Sequence, residues 1–298
     1  MSIACEFEYE KPGTLKEALA LLGKKGAFAL AGGTDLVAWM RDGSVKPSSV
    51  VDIKGLKELQ GIEERKDSIR IGAAVPLSEV MESPLVRAWA PELAEAAGMM
   101  ASVGVRNRGT VAGNICSAVP CCDCGPALLV LGADIETVAP DGKKRIAIGK
   151  WFLGPRKTAL AAGALVTGIL IPKLEHAGAF AKLKRYRGED LAQASAAVWL
   201  AKGGTWRVAL GSVGPTPLRS KGTEAVLVGT EEPGEELLVA AAEAAEKDAT
   251  PITDIRGSQT YRRLMVGVLA KRAAETAAAR LAGKGPGLGF NAMEEEAE

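Results

Sequence analysis

Ala27-Phe28-Ala29-Leu30-Ala31-Gly32-Gly33-Thr34-Asp35-Leu36-Val37-Ala38-Trp39-Met40, residues 27–40, passes from a short apolar run through paired glycines into helical spacing. The run predicts a strand at Ala27–Ala31 and the spacing a short helix at Leu36–Met40. Two readings of the turn stand side by side. A tight strand-to-helix turn needs glycine for steric reasons alone. Paired glycines also let backbone N–H groups approach a phosphate, with Thr34 or Asp35 capping the helix behind them.

Working outward, helical spacing appears at Thr14–Leu22 and strand patterns at Ser49–Ile53 and Ser68–Ala74. Pro84–Met100 reads as one long helix and Pro126–Leu131 as a shorter one, with strands at Asp134–Val138 and Leu165–Ile171. Such alternation predicts an α/β unit to about residue 175. Beyond Gly178 the pattern changes. Lys202-Gly203-Gly204 separates two strand candidates, Asp190–Ala201 and Trp206–Ser212, as an antiparallel hairpin. Helical segments follow at Gly222–Val228, Glu235–Lys247 and Ser258–Ala282, the last with Tyr261, Leu264, Val268 and Leu281 on a shared face and Gly283 as its stop. The chain therefore divides into 1–177, 178–285 and a tail, 286–298, whose Glu294-Glu295-Glu296 is expected to fray.

A length of 298 residues is about twice that of an average domain. The composition, 47% apolar and 24% charged with 37 basic against 36 acidic side chains, is that of a folded chain. It carries no basic excess to suit nucleic acid. No stretch reads as a membrane span, and the first residues have neither the basic start nor the apolar core of a secretory leader, so a cytoplasmic location is expected. A lone histidine, His176, rules out zinc sites built on several histidines within the chain. It lies in a polar stretch and is expected to face solvent. No Walker A motif occurs.

A second turn, Gly104-Val105-Arg106-Asn107-Arg108-Gly109-Thr110-Val111-Ala112-Gly113-Asn114-Ile115-Cys116-Ser117-Ala118-Val119-Pro120, is polar and long for a connection. Thr110 and Asn114 offer polar groups to a diphosphate and sugar, and Gly113 allows close approach. Asp123, ahead of Gly125-Pro126, suits either a helix N-cap or a ligand hydroxyl. Of five cysteines, Cys116, Cys121, Cys122 and Cys124 crowd within nine residues. They are enough in number to ligate an iron–sulfur cluster, but adjacent Cys121 and Cys122 do not readily face one metal, and free thiols are the preferred reading.

The segments 31–36 (AGGTDL), 104–129 (GVRNRGTVAGNICSAVPCCDCGPALL), 152–160 (FLGPRKTAL), 188–200 (GEDLAQASAAVWL), 211–220 (GSVGPTPLRS) and 254–273 (DIRGSQTYRRLMVGVLAKRA) together resemble the FAD-binding subunits of the molybdenum hydroxylases. That family includes the medium subunit of carbon monoxide dehydrogenase and the flavin portion of xanthine dehydrogenase. The resemblance implies an α+β fold: two α/β subdomains of vanillyl-alcohol-oxidase-like type binding FAD, then an antiparallel sheet with three helices. It implies that Ala31, Gly32, Gly33, Thr34 and Asp35 hold the diphosphate with Leu30 close behind, and that Thr110, Gly113, Asn114 and Asp123 contact FAD. Val166 then lies near the adenine, Lys182 near the flavin ring, Met100 beside that ring and Cys116 near its opposite face.

One departure concerns Ala112, where the family usually has a second glycine before the asparagine; alanine is tolerated there if φ stays negative. Some relatives carry a further [4Fe-4S] cluster, in an inserted loop that this sequence lacks. The implied function is to accept electrons from [2Fe-2S] clusters on a small partner subunit and pass them to NAD⁺ or another acceptor, while a large partner carries the molybdenum cofactor. The implied assembly is a dimer of heterotrimers. A stand-alone FAD-dependent oxidase and a non-catalytic assembly module are the rival readings.

Overall fold

The computed structural model describes residues 3, 5–186 and 188–289; the Glu294-Glu295-Glu296 tail lies outside the described residues. The first subdomain runs β1 (Glu8–Glu10), α1 (Leu15–Leu22), β2 (Ala27–Leu30), α2 (Leu36–Arg41), β3 (Ser49–Asp52). Its three strands are parallel in the order β1-β3-β2, so the ends of β2 and β3 open on the same edge, where Leu30 registers with Asp52.

The second subdomain comprises β4 (Ile62–Glu64), β5 (Ser68–Gly72), α3 (Leu77–Glu82), α4 (Pro84–Trp89), α5 (Pro91–Gly98), α6 (Val103–Arg106), α7 (Val111–Ser117), α8 (Cys124–Leu131), β6 (Asp134–Ala139), β7 (Gly142–Ala147), β8 (Phe152–Gly154), β9 (Lys157–Thr158) and β10 (Leu165–Pro172). Its main sheet is antiparallel, in the order β4-β5-β10-β6-β7. Edge strand β7 carries exposed Lys143, Lys144 and Arg145, which guard it against further pairing.

The expected single helix over Pro84–Met100 is two. Pro91 supplies no N–H and starts α5, while Ala90 leaves the helical region at φ −152°, ψ 55°. The long second turn is likewise not an open loop: α6 and α7 lie within it.

The last part runs β11 (Ala177–Leu183), β12 (Ala194–Ala201), β13 (Thr205–Gly211), β14 (Leu218–Arg219), α9 (Lys221–Leu227), α10 (Glu235–Asp248) and α11 (Gln259–Leu281). The hairpin turns through Gly203 and Gly204 at φ +83° and +69°, values that glycine adopts without strain. The antiparallel sheet is covered on both faces. Phe180, Ala197, Trp199 and Ala209 join the core built by α5, α8 and the second sheet, while Ala179, Ala181, Val198 and Leu200 pack on α10 and α11. The alternation of strand side chains thus makes this sheet the wall shared by both halves.

Helix α11 buries Val266, Leu269, Ala270, Ala273, Ala274 and Ala277, not the face expected from its large side chains: Tyr261 and Leu264 are exposed. Close approach to the sheet and α10 selects small residues, and at Gly267 an added Cβ would come 2.9 Å from the Ala242 carbonyl oxygen.

Candidate functional site

The two glycine-bearing turns meet. A Cβ on Gly32 would lie 2.0 Å from the Arg108 carbonyl oxygen and 2.8 Å from the Gly109 Cα, so only glycine permits this approach. Gly33, at φ +77°, turns the chain from β2 into α2 and sits over Leu30. Asp35 precedes α2 without a side-chain cap bond; its carboxylate instead accepts a hydrogen bond from Ser117 Oγ in α7. Thr34 is exposed at the mouth of the turn. Beside it a groove of about 510 Å³ is lined by Gly32, Gly33, Thr34, Val37, Ala38, Arg41, Asp42 and Arg108.

Thr110 is the N-cap of α7: its Oγ1 accepts from Gly113 N–H at 2.9 Å. Asn114, one turn on, faces inward. Its Oδ1 accepts from the Cys124 N–H at 3.2 Å and the Cys122 thiol at 2.9 Å, and its Nδ2 lies 3.7 Å from Met100 Sδ. Asn114 therefore ties the second turn to the start of α8. Ala112 is buried within α7, where φ is negative, so the extra methyl is accommodated.

Asp123 makes no side-chain cap bond to α8; the N-cap reading is set aside. Its buried Oδ2 instead lies 2.6 Å from Lys182 Nζ of β11, which also donates to the Met99 carbonyl oxygen at 3.3 Å. Burial pushes the Asp123 carboxyl up, against the opposing charge and hydrogen bond of Lys182. Its other oxygen, Oδ1, is buried with no hydrogen-bond partner among the described residues.

These contacts form one path, from Gly32 and Asp35 through Asn114 and Asp123 to Lys182 on the wall between the halves. Backbone strain gathers along it: Ala101, Ala118, Arg156 and Ser212 all have φ between +44° and +62°. Arg156 N–H bonds the Ala118 carbonyl at 2.8 Å and Ser212 N–H that of Pro120 at 3.1 Å. Val166 is buried in β10 beside a bulge, within a strand that packs on α7 and α8.

The thiols are structural in setting. Burial pushes Cys116 up to about 12 and holds Cys122 and Cys124 well above the ordinary thiol range. Cys121 is half-buried and also raised by burial, with Asp123 adding to it. Among the described residues no three His, Cys, Asp or Glu side chains are placed to hold a metal ion.

His176 does not face solvent. Its side chain is 1% exposed, with Nε2 3.2 Å from Glu92 Oε2, Nδ1 2.7 Å from the Leu174 carbonyl and the ring stacked on Trp199 at 5.2 Å. Burial lowers its pKa, but the Glu92 charge and hydrogen bonds outweigh that and the net shift is upward. One turn along α5, Glu95 accepts from Arg280 at 2.6 Å and from Phe180 N–H at 2.9 Å. This pair of carboxylates clasps the C-terminal part. Sequence reading missed it because its partners lie 84 and 185 residues apart.

Two separate features suit a dinucleotide: a glycine-only turn opening on a groove and, outside that groove, a buried carboxylate oxygen that, among the described residues, lacks the donor a ribityl or ribose hydroxyl supplies.

A family model described as the FAD binding domain in molybdopterin dehydrogenase matches residues 5–174, and one described as the CO dehydrogenase flavoprotein C-terminal domain matches 178–277. The chain is similar to the carbon monoxide dehydrogenase medium chain of Hydrogenophaga pseudoflava, 37% identical over 284 residues spanning 93% of this chain and 98% of that one. It is 31% identical to the nicotine 6-hydroxylase medium subunit of Paenarthrobacter nicotinovorans over 277 residues, 91% and 97% of the two chains. In structure it is similar to carbon monoxide dehydrogenase from Hydrogenophaga pseudoflava lacking the Mo-pyranopterin moiety, with a TM-score of 0.89 at 36% identity over 94% of this chain and 99% of that one.

Proposed function

The chain belongs to the family of FAD-binding medium subunits of molybdenum hydroxylases, and from that premise we propose that it receives electrons from the [2Fe-2S] clusters of a small partner subunit and passes them to NAD⁺ or another acceptor. In this reading a large partner carries the molybdenum cofactor and the substrate pocket, the assembly is a dimer of heterotrimers, and it works in the cytoplasm. Among the described residues no helix is long and apolar enough to cross a membrane.

The observation that carries the reading is the close approach of the two glycine-bearing turns at Gly32 and Arg108, with the buried Asp123–Lys182 pair following the second turn. When bound, FAD supplies the electron-carrying chemistry. Ala31, Gly32, Gly33, Thr34 and Asp35 bind its diphosphate through main-chain N–H groups, with Leu30 packed beneath Gly33. Thr110 and Gly113 fix the start of α7, and Asn114 positions the second turn against α8. Asp123 would accept a hydrogen bond from a cofactor hydroxyl at Oδ1, while Lys182, which would stand near the flavin ring, keeps the other carboxylate oxygen occupied. Met100 and Cys116 would shield the flavin ring from water, and Val166 would line the adenine end. A separate general base is unnecessary for electron transfer, consistent with a single histidine engaged elsewhere.

The test is to purify the chain with its companion subunits, identify them by mass spectrometry and follow flavin bleaching anaerobically. Bleaching that requires the [2Fe-2S] subunit supports the proposal. Reduction of the isolated chain by a small molecule alone favours a stand-alone oxidase, and a folded chain without flavin favours an assembly module.

A further inference from the structure

The hairpin of β8 and β9 reaches the helices that belong to both glycine-bearing turns. At the end of α7 it serves carbonyls that the helix leaves free: Trp151 Nε1 donates to the Ile115 carbonyl at 2.9 Å, and the Arg156 N–H to the Ala118 carbonyl at 2.8 Å. The Arg156 guanidinium stacks 4.9 Å over the ring of Trp39 in α2. It also stands near Asp42, on the groove, where its charge adds to a lowering of the carboxyl that the Ser44 hydrogen bonds dominate.

Local preference does not put an arginine there. The tip Pro155-Arg156 joins Gly154 to Lys157, and Arg156 takes φ +58°. Proline followed by a positive φ is the pattern of a type II turn, whose second central residue is ordinarily glycine or asparagine. Arginine gains nothing within such a turn; its gain is the contact with the Trp39 ring.

We infer that Arg156 is a positioning residue: it holds α7 through its N–H and α2 through its guanidinium, and so fixes the spacing of the two turns before a ligand enters the groove. Gly32 against Arg108 and Ser117 on Asp35 are direct ties between the turns, and Arg156 adds a third. The consequence for FAD rests on the function proposed above. A gap set in advance spares the cofactor the cost of ordering it, so FAD binds more tightly than to a chain whose α2 is free to shift.

The test uses the full chain with Arg156→Asn, Arg156→Lys, Trp39→Leu and the double variant Arg156→Asn/Trp39→Leu. Asparagine tolerates the positive φ and keeps the N–H, so it removes the guanidinium alone. Two quantities are read: amide hydrogen exchange of α2 in the flavin-free chain, and FAD affinity by quenching of flavin fluorescence. Arg156→Asn should speed the exchange and weaken FAD binding by roughly two- to fivefold, the range of an exposed cation–aromatic pair. Its urea midpoint should stay at or above the wild-type value, because the turn is relieved of strain, whereas a merely structural residue would lower both together. Lysine should recover part of the loss, and the double variant should bind no more weakly than Trp39→Leu alone.

Unchanged α2 exchange or unchanged FAD affinity in Arg156→Asn overturns the inference. So does an affinity loss matched by an equal loss of unfolding stability, or losses that add in the double variant. Arg156-dependent protection of α2 in a folded wild-type chain that takes up no FAD would leave the positioning role standing and remove the proposed function.

Discussion

Replacing Arg280 by methionine isolates the clasp between α5 and the C-terminal part. The wild-type guanidinium donates to Glu95 Oε1 and the Gly178 carbonyl at 2.6 Å each, and to the Pro286 and Gly287 carbonyls at 3.0 and 3.1 Å. Glu95 has a side-chain exposure of 1% and Arg280 of 11%, so this is a buried pair with little solvent screening. Methionine fills much of the space but leaves the carboxylate without its charged partner, with backbone hydrogen bonds from Phe180 and Gly289 remaining. Removing one partner of a buried pair costs about 3–5 kcal/mol, equivalent to a fall in melting temperature of roughly ten degrees for a chain of this size.

Burial already raises the Glu95 pKa despite the lowering effect of Arg280, and loss of the arginine raises it further. A carboxyl whose folded pKa is raised binds its proton more tightly in the native state. Native stability therefore declines as pH rises from the unfolded value, about 4.5, through the folded one. Urea unfolding followed by tryptophan fluorescence at pH 5 and pH 8 should show a larger penalty at pH 8. Adding Glu95→Gln should recover much of that loss. A penalty below about 1 kcal/mol, or one equal at both pH values, would refute the clasp.

Gly32→Ala should separate the two turns, costing about 3 kcal/mol and the bound flavin. Gly55→Ala, where an added Cβ meets nothing within 4 Å, should leave both unchanged in the same melting and flavin-content measurements. His176→Gln tests the other half of the clasp: since the folded pKa of His176 is raised, its stabilisation is complete below about 6.5 and disappears as pH climbs through the folded value. The wild-type advantage over the variant in urea unfolding should accordingly shrink from pH 6 to pH 9, and a constant gap would count against the Glu92 pairing. Alkylation by iodoacetamide at pH 8, read by mass spectrometry, should label the half-buried Cys5 before Cys116, which is equally half-buried by exposure, and Cys124, because burial keeps the thiols of Cys116 and Cys124 protonated.

What could be read from sequence was what local chemistry determines. Gly32-Gly33 marked the strand-to-helix turn, and Lys202-Gly203-Gly204 the hairpin, because positive φ at glycine leaves a signature within a few residues. Pro91 carried an equally local signal for breaking the helix, but it was outweighed by the surrounding alanine and leucine. β7 escaped notice because an edge strand made of Lys143, Lys144 and Arg145 has no apolar alternation. Tertiary contact decided the rest. Asp123 has the sequence context of a cap, and only the arrival of Lys182 from β11, 59 residues away, makes it half of a buried pair. His176 reads as polar surface until Glu92 and Trp199 close over it. The inward side of α11 differs from the one its large side chains predict for the same reason, since sheet and helix approach too closely for those side chains.

The most direct measurement is equilibrium titration of FAD into the flavin-free full chain, followed by quenching of flavin fluorescence, for the wild type and Asp123→Ala. The account predicts saturation at one FAD per chain, with markedly weaker binding when the orphaned carboxylate oxygen is removed. A folded wild-type chain that takes up no FAD, or one that binds it equally well without Asp123, would contradict it.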